Sequence, residues 1–141
     1  MSRLARIETW LHAVWGEGRL DEVDGLFDAE AQTNGLMPGL ELRPQEFREL
    51  VPALRAHLHG IEITVLRHVE TEDWLWTLLK IAGKSAQSAR AVEFTGQLTM
   101  RFRGDRIVEA YNNYDVIALF EALEMMPRDT VALCLSGEVL G

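Results

Sequence analysis

The sequence predicts an α+β fold: helices packed on one face of a bent antiparallel sheet. Three observations predict it. Apolar residues recur at three- and four-residue steps before Gly60, at a two-residue period from Ile61 to Asp115, and at helical steps again after Val116. Gly96 interrupts the longest alternating run, where a strongly curved sheet needs a bulge or a bend. No internal repeat or linker divides the 141 residues, which we read as one domain, 1–141, with room for a real core.

The elements follow in order. Leu4, Ile7, Leu11, Val14 and Trp15 form one apolar stripe, predicting an amphipathic helix from Ser2, its N-cap, to Trp15, stopped by Gly16-Glu17-Gly18. Leu20, Val23, Leu26 and Phe27 predict a second, shorter helix with the acidic first turn Asp21-Glu22. Ala31 to Gly35 reads as a short polar strand or turn, and Leu36 to Gly39 as an irregular loop. Pro44-Gln45-Glu46 opens a third helix with Phe47, Leu50, Val51, Leu54 and Leu58 inward and a kink expected near Pro52. His57 and His59 suit the negative end of its dipole, and their two-residue step points metal ligands apart.

Period two begins at Ile61 and runs to Val69, and Glu72-Asp73 makes a turn. Trp74 to Ala82 is a strand apolar on both faces, and Gly83 to Ala89 a small polar loop. Ala91 to Arg103 is a half-buried strand with Val92, Phe94, Leu98, Met100 and Phe102 on its core face. Gly104-Asp105 turns the chain into Arg106 to Asp115. There Glu109, Tyr111, Asn113 and Asp115 share one face, and Val108, Ala110, Asn112 and Tyr114 the other. Val116 to Met125 is a short apolar helix, and a further helical turn or two lies between Thr130 and Gly137.

Composition narrows the function. A formal net charge of -8 argues against a surface that tracks nucleic-acid phosphates. Cys134, the single cysteine, allows no disulfide framework, and the absence of His-Glu-x-x-His and of spaced cysteines argues against a zinc site. No glycine-rich phosphate loop, nucleophile elbow, signal sequence or apolar run of membrane-spanning length is present, which makes the cytoplasm the expected location and a membrane partner unexpected. What remains is a bent sheet with an apolar lining and a few polar groups, the usual make-up of a small-molecule pocket. The two apolar faces of the Trp74–Ala82 strand predict a homodimer across the outer sheet face.

A polar row on a strand makes sense if it lines a cavity and ends in a working carboxylate. Asp115, desolvated beside Tyr111 and Trp76, would have its pKa raised into the range useful for a general acid or base; its alternative is to cap the following helix. Asn34 and Asn113 could donate to a carbonyl or enolate oxygen, with Asn34 otherwise a turn residue. His68 is either a second proton carrier or a strand-end surface residue, and Trp76 is core, ligand platform or both.

Ordered along the chain, several segments carry a resemblance: Gly18 to Phe27, Thr33-Asn34-Gly35 with Pro38-Gly39, Glu46-Phe47, Phe94-Thr95-Gly96, Arg101 to Glu109, Tyr111 to Asp115, and Leu119 to Leu123. Together they resemble the SnoaL-like polyketide cyclases of the nuclear-transport-factor-two-like superfamily. The resemblance implies a cystatin-like, cone-shaped half-barrel with helices on the concave face of a curved sheet, around a deep pocket and often in a dimer. It also implies that Asp115 serves as acid/base in an intramolecular aldol ring closure needing no metal or organic cofactor. Substrate contacts would come from Asn34, Asn113, Tyr111, Trp76 and Phe94, with His68 nearby. Relatives often carry histidine or another polar residue near the position of Asn34, and tryptophan is common at that of Tyr111. A cofactor-free hydrolase or isomerase in the same pocket, or a non-catalytic ligand-binding or dimerising module, are the alternatives. An epoxide hydrolase would need a second carboxylate, for which Glu109 stands on the right strand face, and an arginine.

Overall fold

A computed structural model describes residues 1–34, 41–43 and 46–141. The expected loop at Leu36–Gly39 and the expected helix start at Pro44-Gln45 lie outside the described residues. Helix α1 (Arg3–Leu11) begins at Ser2, whose hydroxyl accepts from the Ala5 N–H at 3.1 Å. It continues into a π-helical turn, His12–Gly16, and a 3-10 helix follows at Leu20–Gly25. The second predicted helix is thus one tight 3-10 element, and Phe27 opens a strand instead: β1 (Phe27–Asn34). After β2 (Glu41–Leu42) comes α2 (Phe47–Arg55), which carries Pro52 inside it without a break. Leu58, expected on that helix, begins β3 (Leu58–Glu70). Strands β4 (Trp74–Ser85), β5 (Ala91–Arg103) and β6 (Arg106–Tyr114) follow, then α3 (Val116–Ala122) and α4 (Thr130–Leu135).

The strands form one curved, open sheet in the order β2-β1-β6-β5-β4-β3. From β3 to β6 it is antiparallel, as alternation and the Gly104-Asp105 turn predict; Gly104 takes a positive φ of 62° there. β1 adds to β6 in parallel, a pairing no local pattern announces, and β2 returns antiparallel to β1. β4 keeps its ladder to Ser85, so the first three residues of the expected loop at Gly83–Ala89 are strand.

Four irregularities interrupt the ladders. Extra residues sit in β1 between Phe27 and Gln32, in β3 at Gly60-Ile61 and at Leu66, and in β6 at Val108. Gly96 is not among them, because it keeps regular register with Leu79 on one side and Tyr114 on the other. Its reason is space. A Cβ on Gly96 would stand 2.1 Å from Cδ1 of Tyr114, so the glycine lets that ring lie flat across β5.

Helix α1 covers the concave face with Ile7 and Leu11, which meet Leu75, Leu79, Met100 and Ile107 of the sheet, all fully buried. Each such side chain contributes roughly 1.5–3 kcal/mol of burial free energy. Trp10, Trp15, Phe27 and Phe47 pack edge-on or stacked with centroids 5.6–6.2 Å apart. The Trp10 indole N–H donates to the Val23 carbonyl at 3.2 Å. Arg55 donates to the carbonyls of Trp15 at 2.8 Å and Gly16 at 2.6 Å, groups that the end of the first helix leaves without partners. This joint ties α2 to the π-helical turn, and a gap remains between α2, α3 and the sheet.

Candidate functional site: an apolar cavity under the concave face

That gap is a cavity of about 350 Å³. α2 supplies Phe47, Leu50, Ala53 and Leu54, and His57 stands just beyond its end. The sheet supplies Ile61, Ile63, Ile81 and Phe94, and α3 closes the far side with Val116, Leu119 and Phe120. Trp15, Asn112 and Tyr114 complete the lining. Among the described residues, the lining carries no carboxylate, lysine or arginine; its polar groups are His57, Asn112 and Tyr114.

These three differ in exposure. His57 is exposed. Asn112 is buried, and with Tyr114, Trp15 and Phe47 it also borders a small void of about 10 Å³ walled by core residues such as Trp10 and Met100. Asn112 and Tyr114 therefore mark the inner end. The Tyr114 hydroxyl donates to Asn112 Oδ1 at 3.4 Å, longer than a normal O–H···O bond. Burial pushes the Tyr114 phenol pKa well up, so it stays a neutral donor at physiological pH.

The expected polar row lies elsewhere. The extra residue Val108 leaves Ile107, Ala110 and Asn112 buried, so Glu109, Tyr111 and Asn113 point to the outer, convex face. Asn34 pairs with Tyr111 in the parallel ladder and shares that outer side. Trp76 is also outside, between the inward Leu75 and Thr77, with its indole N–H donating to Gln97 Oε1 at 2.9 Å. The expectation that Asn34, Trp76, Tyr111 and Asn113 contact a ligand in the pocket is thus corrected by one fact, the parity of the strand. His68 pairs with Thr77, whose side chain faces inward, but it is exposed and away from the cavity lining. Phe94 lies in the cavity wall.

Asp115 is exposed between two lining residues, Tyr114 and Val116, and its Oδ1 accepts from the Ala118 N–H at 3.0 Å. Of its two predicted roles, the cap is the one its carboxylate occupies here. On the outer face, Glu109 is held by Arg101 and accepts from the Tyr111 hydroxyl at 2.5 Å. Tyr111 and then Arg101 hold the Glu109 carboxyl below its ordinary pKa, and Glu109 in turn raises that of Tyr111. Glu109, the second carboxylate that a hydrolase would converge on a water, is therefore paired with Arg101 outside the cavity.

Sequence reasoning missed Asn112, Tyr114 and His57. The available signal was Gly96 itself: a glycine on the core face of a long strand, placed where an aromatic ring of the next strand has to fit. Among the described residues no group of three or more metal-ligating side chains gathers, and no helix is long and apolar enough to cross a membrane.

Solved structures share this architecture. IdmH of Streptomyces antibioticus, a candidate polyketide cyclase, is 19% identical, with 88% of this chain and 99% of that one covered at a TM-score of 0.74. A candidate polyketide cyclase of Bacillus cereus gives 13% identity, 88% and 82% coverage, and a TM-score of 0.77. A protein of ketosteroid isomerase-like fold from Catenulispora acidiphila, in complex with trimethylamine, gives 16%, 86% and 93%, and 0.70. At these identities the likeness is one of fold. No curated protein sequence matches the chain. The profile of the SnoaL-like domain, however, matches residues 7–110, well over half of the sequence. The chain belongs to the SnoaL-like domain family.

Proposed function

We propose that this protein is a cytoplasmic small-molecule protein of the cyclase type, which takes a largely apolar, uncharged compound into the cavity beneath α2 and α3. The carrying observation is a pocket of about 350 Å³ whose described walls are almost wholly apolar and bear no carboxylate, lysine or arginine. A neutral fluorescent probe, N-phenyl-1-naphthylamine, should bind saturably at one site per chain. Val116→Trp, which sets an indole in the half-buried cavity wall, should abolish that binding with little change in melting temperature. Equal binding by both forms would remove the cavity from consideration.

A second reading, acid–base carbonyl chemistry such as an intramolecular aldol ring closure, is favoured by the place of Asp115 between two residues of the wall. Asp115 would move the proton, with no metal or organic cofactor.

We further propose that the outer sheet face pairs with a second copy. Trp74 and Tyr111 stack there with centroids 6.5 Å apart, next to Trp76 and the exposed Val69 on β3. An apolar, aromatic centre ringed by Arg67, Arg101 and Glu109 has the composition of an interface core and its polar rim. Sedimentation equilibrium at micromolar concentration should give twice the 16.0 kDa chain mass, and Trp76→Arg should return the monomer. A wild-type species at the monomer mass would refute the pairing.

A further inference from the structure

We propose that the cavity selects ligands by a hydrogen-bond acceptor at their inner end, and that the Tyr114 hydroxyl, with the Asn112 amide beside it, is the group that reads it. The ligand class is then a neutral ketone, aldehyde or quinone on an apolar ring body, in preference to a plain hydrocarbon or a carboxylate. This rests on the pocket reading above and gives it a chemical identity.

Four observations carry it. Asn112 and Tyr114 stand two residues apart on the inner side of β6, at the end of the cavity nearest the core. The phenol's recorded partner is Asn112 Oδ1 at 3.4 Å, so most of its donor strength is unspent and available to a carbonyl at normal distance. Gly96 seats the Tyr114 ring flat on β5 and so fixes the direction of the hydroxyl before any ligand arrives. Finally, the described lining offers no lysine or arginine, and its one histidine, His57, is exposed rather than buried beside Tyr114, so a carboxylate at the inner end would lose its water without gaining a counter-charge.

The test uses two probes of one shape, 1-tetralone and tetralin, which differ in a single carbonyl oxygen. Dissociation constants are measured by NMR titration for wild type and Tyr114→Phe, with the melting temperature recorded for each. Tetralin is the more hydrophobic, so its absolute affinity decides nothing; the change between proteins does. Tyr114→Phe should weaken tetralone by about 2- to 10-fold, the range of one neutral hydrogen bond, while tetralin binds as well or better. A merely structural role would move both probes together. If the ratio of the two constants is the same in both proteins, the acceptor reading is overturned and the pocket stands. If neither probe binds wild type, the pocket reading fails and this one with it.

Discussion

Gly96→Ala is expected to cost the protein about 1–3 kcal/mol of stability, the usual range for forcing extra volume into a packed interior. For a domain of this size each kcal/mol lowers the melting temperature by roughly 2–4 °C, so the fall should be several degrees. The added methyl carbon would sit 2.1 Å from one ring carbon of Tyr114 and 2.7 Å from the next. No contact that short survives, and β5 is locked between two neighbours in regular register, so the ring has to move. The way open to it is into the cavity, which should also lower probe binding. Gly25→Ala is the control, because a Cβ there meets nothing within 4 Å. An unchanged melting temperature and probe affinity in Gly96→Ala would show that Tyr114 is not seated on the glycine.

The second large effect concerns Asp115. Asparagine caps a helix almost as well as aspartate but cannot act as a base. Asp115→Asn should therefore keep the melting temperature nearly constant, whereas Asp115→Ala should lose about 0.5–2 kcal/mol with the bond from the Ala118 N–H. Under the acid–base reading, Asp115→Asn also lowers turnover of a carbonyl substrate by ~10²–10⁴-fold. The comparison is made on purified variants by thermal melts and product formation from the same substrate. Full turnover in Asp115→Asn, alongside the stability loss in Asp115→Ala, would leave the carboxylate as a cap alone.

The fold was largely legible because its signals are local. Ser2 before an apolar stripe, Gly104-Asp105 between two alternating runs, and Val92 to Phe102 on one side of β5 each announce an element within a few residues. The parallel docking of β1 on β6 was not, since it joins Phe27 to Ile107 across the whole chain and depends on tertiary packing. The site was legible only in part. Alternation sorts the residues of β6 into two rows, but it does not say which row faces inward, and Val108 shifts the count midway. The row with more polar groups looked like the working one; the structure turns it outward and gives the cavity Asn112 and Tyr114. Phe94 faces the core side that alternation assigns it, because β5 keeps regular register with β4 throughout.

Val108 has a bearing on how proteins of this type could change over generations. It is the one residue of β6 that the ladder to β5 skips, so losing its codon would leave Ile107, Ala110 and Asn112 inward and Glu109, Tyr111 and Asn113 outward. Absorbing it into the ladder at constant length would do the opposite: Val108 would pair with Arg101, and every residue beyond it would change sides. Glu109, Tyr111 and Asn113 would then look into the cavity, and Asn112 and Tyr114 out of it. One slip of pairing would thus trade an interior without a carboxylate for one that holds it, with no side chain replaced. In this strand, a change of register is the shorter path between a compartment that merely holds a molecule and one equipped to move its protons.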